Sequence, residues 1–317
     1  HAMNSSRGRG AMSALSHNDL VTEDNARALG FYIHVPFCAS RCGYCDFNTY
    51  TAAELGDHVS TISRDTWVTY ALAEVAVARA ALAGDARQVS TVFVGGGTPT
   101  QVPAEHLVRV LRSIDEQFGL AEGAEVTTEA NPDSVTAEGL AELRAGGFTR
   151  ISFGHQSSAA HVLKVLERTH TPGRTWEAVA AAQEAGFEHI NIDLIYGTPG
   201  ESDEDLGRSL DDVLASGVDH VSAYSLIVEP GTRLAAQVQR GMVPMPDDDV
   251  AAARYEIIDD ALAAAGMPWY EVSNWAKPGS ECSGTGCFGP GSPAGRGGAC
   301  RCSSSDIGNG DARYPNP

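Results

Sequence analysis

The chain has 317 residues, 43% apolar and 20% charged, with a formal net charge of −19. That is enough apolar material for a buried core, and no stretch reaches the ~20 consecutive apolar residues of a bilayer span. Phosphate recognition needs clustered Lys and Arg, so this acidity excludes a nucleic-acid partner and reads as solubility.

Residues 1–29 are polar, rich in Gly, Ser and Arg, with no apolar h-region. His1-Ala2-Met3 reads as a cloning remnant, with Met3 or Met12 as the start, and the lack of a secretory signal points to the cytoplasm. From Gly30 one unit recurs: a short apolar run, a Gly- or Pro-marked turn, then an Ala-rich amphipathic stretch. Strands are predicted at 31–35, 91–94, 125–129, 150–153, 190–195 and 220–226, in the apolar style of strands buried on both faces. Helices are predicted at 58–82, 104–117, 137–145, 174–185, 204–215 and 248–265. Thr136 and Ser202 are expected N-caps, and Gly146, Gly147, Gly186 and Gly217 expected stops.

Alternating strands and helices imply an α/β fold with parallel pairing and right-handed crossovers. About six units are too few for a closed eight-fold barrel. The expectation is a partial (β/α)6 TIM-like barrel over 30–279, with an open doubly wound sheet as the alternative. The segment 280–317, rich in Gly, Ser, Pro and Arg, is expected to be a disordered tail, since it buries too little apolar area to offset ordering entropy. The unusual residues follow strand ends: Cys38 to Cys45, Gly95-Gly96-Gly97-Thr98-Pro99, Glu129-Ala130-Asn131-Pro132, Gly154-His155-Gln156-Ser157 and Asp193 to Pro199. Strand C-terminal ends are where α/β folds place ligands, so one shared site is the economical reading.

Of seven cysteines, Cys38, Cys42 and Cys45 sit together at spacings of four and three. Thiolates select zinc, copper(I) or iron–sulfur clusters, and a structural zinc normally takes four protein ligands. Three ligands leave one iron of a [4Fe–4S] cluster open, and Phe37, Tyr44 and Phe47 would shield it from water. Three unliganded buried thiols, or a zinc site completed by His34, are the other readings.

Cys38-x3-Cys42-x2-Cys45, with the aromatic Tyr44 before the last cysteine, resembles the signature of the radical S-adenosylmethionine (SAM) superfamily. The longer string Phe31-Tyr-Ile-His-Val-Pro-Phe-Cys38, running on to Cys45-Asp-Phe-Asn-Thr49, is similar to the branch holding oxygen-independent coproporphyrinogen III oxidases and HemW heme chaperones. The resemblance continues through 95–100, 129–132, 152–157, 191–199 and 270–279. It implies a partial barrel whose open iron binds the amino and carboxylate groups of SAM, with one electron releasing a 5′-deoxyadenosyl radical. By the same resemblance Tyr32 lies beside the cofactor and Tyr44 beside the cluster, while Gly96, Gly97 and Thr98 let the backbone approach the methionine moiety. Glu129, Gln156, Arg168 and Asp193 match polar positions around SAM, and Ile227 lies near the adenine. Read without the resemblance, Glu129 only precedes a turn and Arg168 pairs on the surface with Glu167 or Glu184. Asp193, within an apolar strand, needs a partner or ligand in any case.

The oxidases of this branch extend the motif to a fourth cysteine, where this chain has Phe47. The resemblance therefore implies heme binding and delivery, with a heme or porphyrin ligand, a heme-accepting protein and an electron donor such as a flavodoxin or ferredoxin. Decarboxylation of porphyrinogen propionates is the alternative. His155 departs from the usual Val or Met and reads either as an extra ligand or as an incidental substitution. After residue 279 the family continues with a His-Asn-x-x-Tyr-Trp motif and a helical domain, where this chain reads Ser280-Glu-Cys-Ser-Gly-Thr-Gly-Cys287. A frameshift or wrong splice near Glu281 is the expectation, and a second metal site from Cys282, Cys287, Cys300 and Cys302 the alternative.

Overall fold

The computed structural model describes residues 28–55, 62–169, 171 and 173–283. Outside the described residues lie most of the predicted N-terminal extension, positions 58–61 of the first predicted helix, and the tail from 284 with Cys287, Cys300 and Cys302.

The chain opens with β1 (Leu29–Val35), a short parallel ladder of β2 (Phe37–Cys38) and β3 (Tyr50–Thr51), α1 (Ala52–Leu55) and α2 (Trp67–Ala81). It continues through β4 (Val89–Gly96), α3 (Ala104–Phe118), β5 (Leu120–Ala130), α4 (Ala137–Ala145) and β6 (Arg150–Gln156). Then come α5 (Ala160–Val165), α6 (Arg174–Ala185), β7 (His189–Tyr196), α7 (Asp203–Ala215) and β8 (His220–Ser225). The last elements are α8 (Arg233–Gln239), α9 (Asp248–Ala264), β9 (Trp269–Glu271) and β10 (Asn274–Ala276).

The main sheet runs β1-β4-β5-β6-β7-β8-β10-β9, parallel from β1 to β8 and antiparallel over the last two. The six parallel strands stand in sequence order with no reversal. A doubly wound sheet needs a reversal to put helices on both faces, so consecutive right-handed crossovers here wind one way into a curled, barrel-like sheet. The helices pack on its outer face. There Ile151, Phe153, Ile192, Leu194 and Val221 meet Leu107, Ile114, Leu140 and Leu210 in the main core. The intervening residues Arg150, Ser152, Asn191, Asp193, His220 and Ser222 line the inner face. The strands are thus apolar on one face only, and the expectation of two apolar faces is corrected.

Thr136 caps α4 through Gly139 N–H at 3.1 Å, and Ser202 forms a reciprocal capping box with Asp205 at the start of α7. Gly147, Gly186 and Gly217 adopt positive φ, whereas Gly146 stays right-handed. Among the described residues the first predicted helix runs over Trp67–Ala81, and 62–66 are not helical. Ser63 and Thr66 exchange backbone-to-hydroxyl bonds of 2.7 and 3.2 Å, a turn that competes with helix. Short α5 and α8 and the β9–β10 pair were not expected. Residues 280–283 lie under the barrel: Arg150 Nη2 donates to Ser280 O at 2.9 Å, and Cys282 Sγ and Ser283 N donate to Glu125 at 3.0 and 3.1 Å. Among the described residues no helix is long and apolar enough to cross a membrane.

Candidate functional site

Inside the curled sheet lies a cleft of about 1220 Å³, its open mouth included. At the C-terminal strand ends it is lined by Cys38, Cys42, Tyr44, Cys45, Gly96, Gly97, Thr98, Glu129, Gln156, Arg168 and Asp193. Of the residues assigned to the cluster and SAM from the sequence, Tyr32 and Ile227 alone lie off this lining. Tyr32, half exposed on edge strand β1, stacks on cleft-lining Phe93 at 6.0 Å and donates its hydroxyl to His34 Nδ1 at 3.1 Å. Ile227, also half exposed, lies in the loop after β8 beside a smaller hollow that Tyr44 shares.

Cys38 ends β2; Cys42 and Cys45 follow on the loop. Burial raises the Cys38 thiol, and burial together with the neighbouring thiols pushes Cys45 up to about 11. Without a cation these crowded thiols stay protonated, and a metal centre is what would favour their thiolate form. Gly97 N–H donates to Val35 O at 2.8 Å, and a Cβ at Gly97 would stand 2.6 Å from Phe37 O and 3.0 Å from Cys38 Sγ. Only glycine allows the two loops this approach. Three soft donors on one wall of a cleft suit a cluster with an open iron. A zinc site does not fit: His34 Nε2 is bonded to Asn48 O at 2.9 Å and its Nδ1 accepts from Tyr32. Among the described residues no three His, Cys, Asp or Glu are disposed to hold a single ion.

Beside the thiols, Arg168 donates through Nη2 to Gly154 O at 2.8 Å and lies with Nη1 3.6 Å from Cys42 Sγ. Its buried Nε has no hydrogen-bond partner. Glu129 accepts from Gly96 N–H at 3.0 Å. Burial, then the Asp193 charge, pushes Glu129 up to about 8, and burial pushes Asp193 up to about 6 against its hydrogen bonds and the Arg168 charge. Asp193 accepts from Ser152 Oγ at 3.0 Å and from Asn191 Nδ2 at 2.8 Å. Asn191 Oδ1 in turn accepts from His220 Nδ1 at 2.5 Å, so His220 Nε2 takes the Tyr270 hydroxyl at 2.7 Å. Burial and the Arg150 charge lower His220 to about 3, leaving it neutral. Gln156 closes β6 with φ of 71°, at an irregularity in the pairing of β6 with β7 that turns it toward the cleft.

His155 is buried and faces the helices: its nitrogens meet Thr175 Oγ1 and Ser158 Oγ at 3.0 Å each, and its ring packs on Trp176. The ligand reading of His155 is overturned. Sequence reasoning missed the lower lining of Arg150, Ser152, Asn191, His220 and Ser222. Its signal was present, because polar residues at i and i+2 in otherwise apolar strands mark one wet face.

The radical SAM superfamily model matches residues 32–213. The heme chaperone HemW of Mycobacterium tuberculosis (strain H37Rv) is 55% identical over 253 residues, covering 80% of this chain and 63% of that protein. HemW of Escherichia coli K12 is 34% identical over 254 residues, covering 80% and 64%. Among solved structures, coproporphyrinogen III oxidase (HemN) from Escherichia coli, described as a radical SAM enzyme, matches with a TM-score of 0.70 at 26% identity, over 84% of this chain and 60% of that one. The chain spans somewhat under two thirds of the length of these relatives. With its family model, its winding and its cysteine-lined cleft in agreement, the chain belongs to the radical SAM superfamily.

Proposed function

We propose that this chain holds a [4Fe–4S] cluster on Cys38, Cys42 and Cys45, binds SAM in the same cleft, and serves heme binding and delivery as its HemW relatives are named for. The observation that carries the cofactor half is the single cleft, lined at once by three thiols, by Arg168 beside Cys42, by the buried carboxyls of Glu129 and Asp193, and by the Gly97 backbone. Arg168 is the carboxylate partner, its unpartnered Nε and fork geometry suited to a planar anion. Glu129 and Asp193 hold the ammonium end, and a bound cation is what two buried carboxylates with raised pKa lack. Gln156 adds a polar contact and Gly96 lets the backbone approach the methionine moiety, while Tyr44 and Phe47 exclude water from the thiols. Bound there, the cluster and SAM supply the one-electron chemistry of the superfamily.

Phe47 favours the chaperone over the oxidase. It lines the cleft at the position of the oxidases' fourth cysteine and offers no ligand. A heme-accepting protein and an electron donor such as a flavodoxin or ferredoxin are the partners this reading requires, in the cytoplasm that unpaired thiols favour. The test is anaerobic reconstitution with iron and sulfide counted per chain, wild type beside Cys42→Ala, then hemin titration and a coproporphyrinogen turnover assay. About four irons lost in the variant, saturable hemin binding and no turnover are expected. No iron would overturn the cofactor half; turnover without hemin binding would overturn the chaperone half.

A further inference from the structure

The loop that carries Cys42 is held from outside the cleft by a device centred on Glu167. Helix α5 ends in a paired-bond cap: Glu167 N–H returns to Lys164 O at 3.2 Å and Arg168 N–H to Leu163 O at 2.9 Å. That pattern requires a left-handed residue at the position of Glu167, where glycine is the usual choice. Glu167 sits there with φ of 49°, a conformation its Cβ disfavours.

The carboxylate explains why the position is not glycine. Glu167 Oε2 meets Arg233 Nη2 at 2.9 Å and Oε1 accepts from Gln237 Nε2 at 2.7 Å, which fastens the end of α5 to α8. The cysteine loop is caught between these two elements. Gly43 N–H donates to Leu166 O at 3.0 Å, Gly43 O accepts from Leu234 N–H at 2.8 Å, and Arg41 O accepts from Arg233. The aliphatic part of Glu167 covers Gly43 so closely that a Cβ there would meet its Cγ and Cδ at 3.2 Å. The backbone on both sides of Cys42 is therefore fixed by neighbours of one carboxylate, and the next residue, Arg168, reaches Cys42 Sγ. Beneath lies a small separate core of Val162, Leu166, Ile195, Leu226 and Leu234, against which Tyr44 packs.

Stability alone does not account for this arrangement. Arg233 is 59% exposed in the pair, and exposed ion pairs contribute little, while the strained backbone works against the fold. We propose that Glu167, with Arg233 and Gln237, is a positioning clamp that presets the Cys42 loop to receive and retain the cluster. The proposal rests on Cys42 being a cluster ligand, and the test is chosen to separate the two.

The decisive variant is Glu167→Gly, which relieves the left-handed strain while removing the clamp; Arg233→Met removes one arm without touching the cap. Hydrogen exchange on the cluster-free full chain is expected to speed up about tenfold over residues 39–45 in both variants, the effect of ~1.4 kcal/mol of local protection. The melting temperature of Glu167→Gly should equal or exceed wild type. After anaerobic reconstitution, iron loss to a chelator should be several-fold faster in both. Unchanged exchange over 39–45 in Glu167→Gly would overturn the clamp, and so would faster exchange with an unchanged rate of iron loss. If wild type takes up no iron, the cofactor reading fails, while the exchange arm still decides whether Glu167 holds the loop.

Discussion

Glu129 on β5 accepts a hydrogen bond from the backbone N–H of Gly96 at the end of β4, 3.0 Å away. The bond ties the Gly-rich loop to the carboxyl pair that lines the same cleft as the thiols. It favours the ionised form, yet burial and the Asp193 charge outweigh it and push Glu129 up to about 8. A carboxyl raised above its unfolded value of about 4.3 stabilises the fold while protonated, and that contribution is lost as pH rises through the folded value. Asp193, raised to about 6, acts in the same direction at lower pH, where His220, lowered to about 3, acts against it. Between pH 6.5 and 8 the cofactor-free chain should therefore lose about 1–2 kcal/mol through Glu129. Urea titrations at the two pH values check this, with Glu129→Gln expected to flatten the difference. An equal slope in the variant would assign it elsewhere, Glu201 at about 7 being the next candidate.

Gly97→Ala should be far more damaging than its one methyl suggests. The new Cβ would meet the Phe37 carbonyl at 2.6 Å, and backbone cannot yield as a side-chain tip does. A loss of about 1–3 kcal/mol and a sharp fall in iron uptake are expected. Gly207 is the control. It lies inside α7 with nothing within 4 Å of a Cβ, so Gly207→Ala should gain roughly 0.5–1 kcal/mol and leave iron uptake unchanged. Thermal melts beside iron counts separate the two.

Arg168→Lys keeps the charge and loses the fork. The guanidinium spans Gly154 O and Cys42 Sγ and still has a buried N–H without a partner, which a single ammonium cannot reproduce. SAM affinity, measured by equilibrium dialysis on the reconstituted chain, should fall about tenfold, the worth of one charge-assisted bond. Unchanged affinity would remove Arg168 from the SAM site.

These sites differ in how far the sequence revealed them. That Cys38, Cys42 and Cys45 gather in one cleft was legible because three thiols at short spacing after a strand must lie close together. The six parallel strands were legible because each is a short β-branched or aromatic segment closed by a turn signal, although their alternation of apolar and polar residues was not read. The β9–β10 pair was not, since Trp269–Glu271 and Asn274–Ala276 are too short for a period of two to stand out. Glu167 was invisible for a different reason: glutamate carries no left-handed preference, and only the contact with Arg233 gives it a purpose. His155 was the opposite case, a residue with ligand chemistry that the alternation of β6 turns away from the cleft.

That orientation gives the last prediction. His155 sits on the helix-facing side of β6, where Thr175 and Ser158 hold its two nitrogens and Trp176 covers its ring at 4.7 Å. Replacing it with alanine opens a cavity and leaves two hydroxyls short of a partner, at a cost of about 2–3 kcal/mol. Gly154 and Gln156, its neighbours on the strand, line the cleft on the opposite face, together with Arg168 and the three thiols. His155→Ala should therefore melt several degrees lower yet, well below its melting point, take up as much iron as wild type. A ligand would give the reverse pattern, with iron falling while the cofactor-free chain keeps its melting temperature, and iron counts and thermal melts on one preparation decide between them.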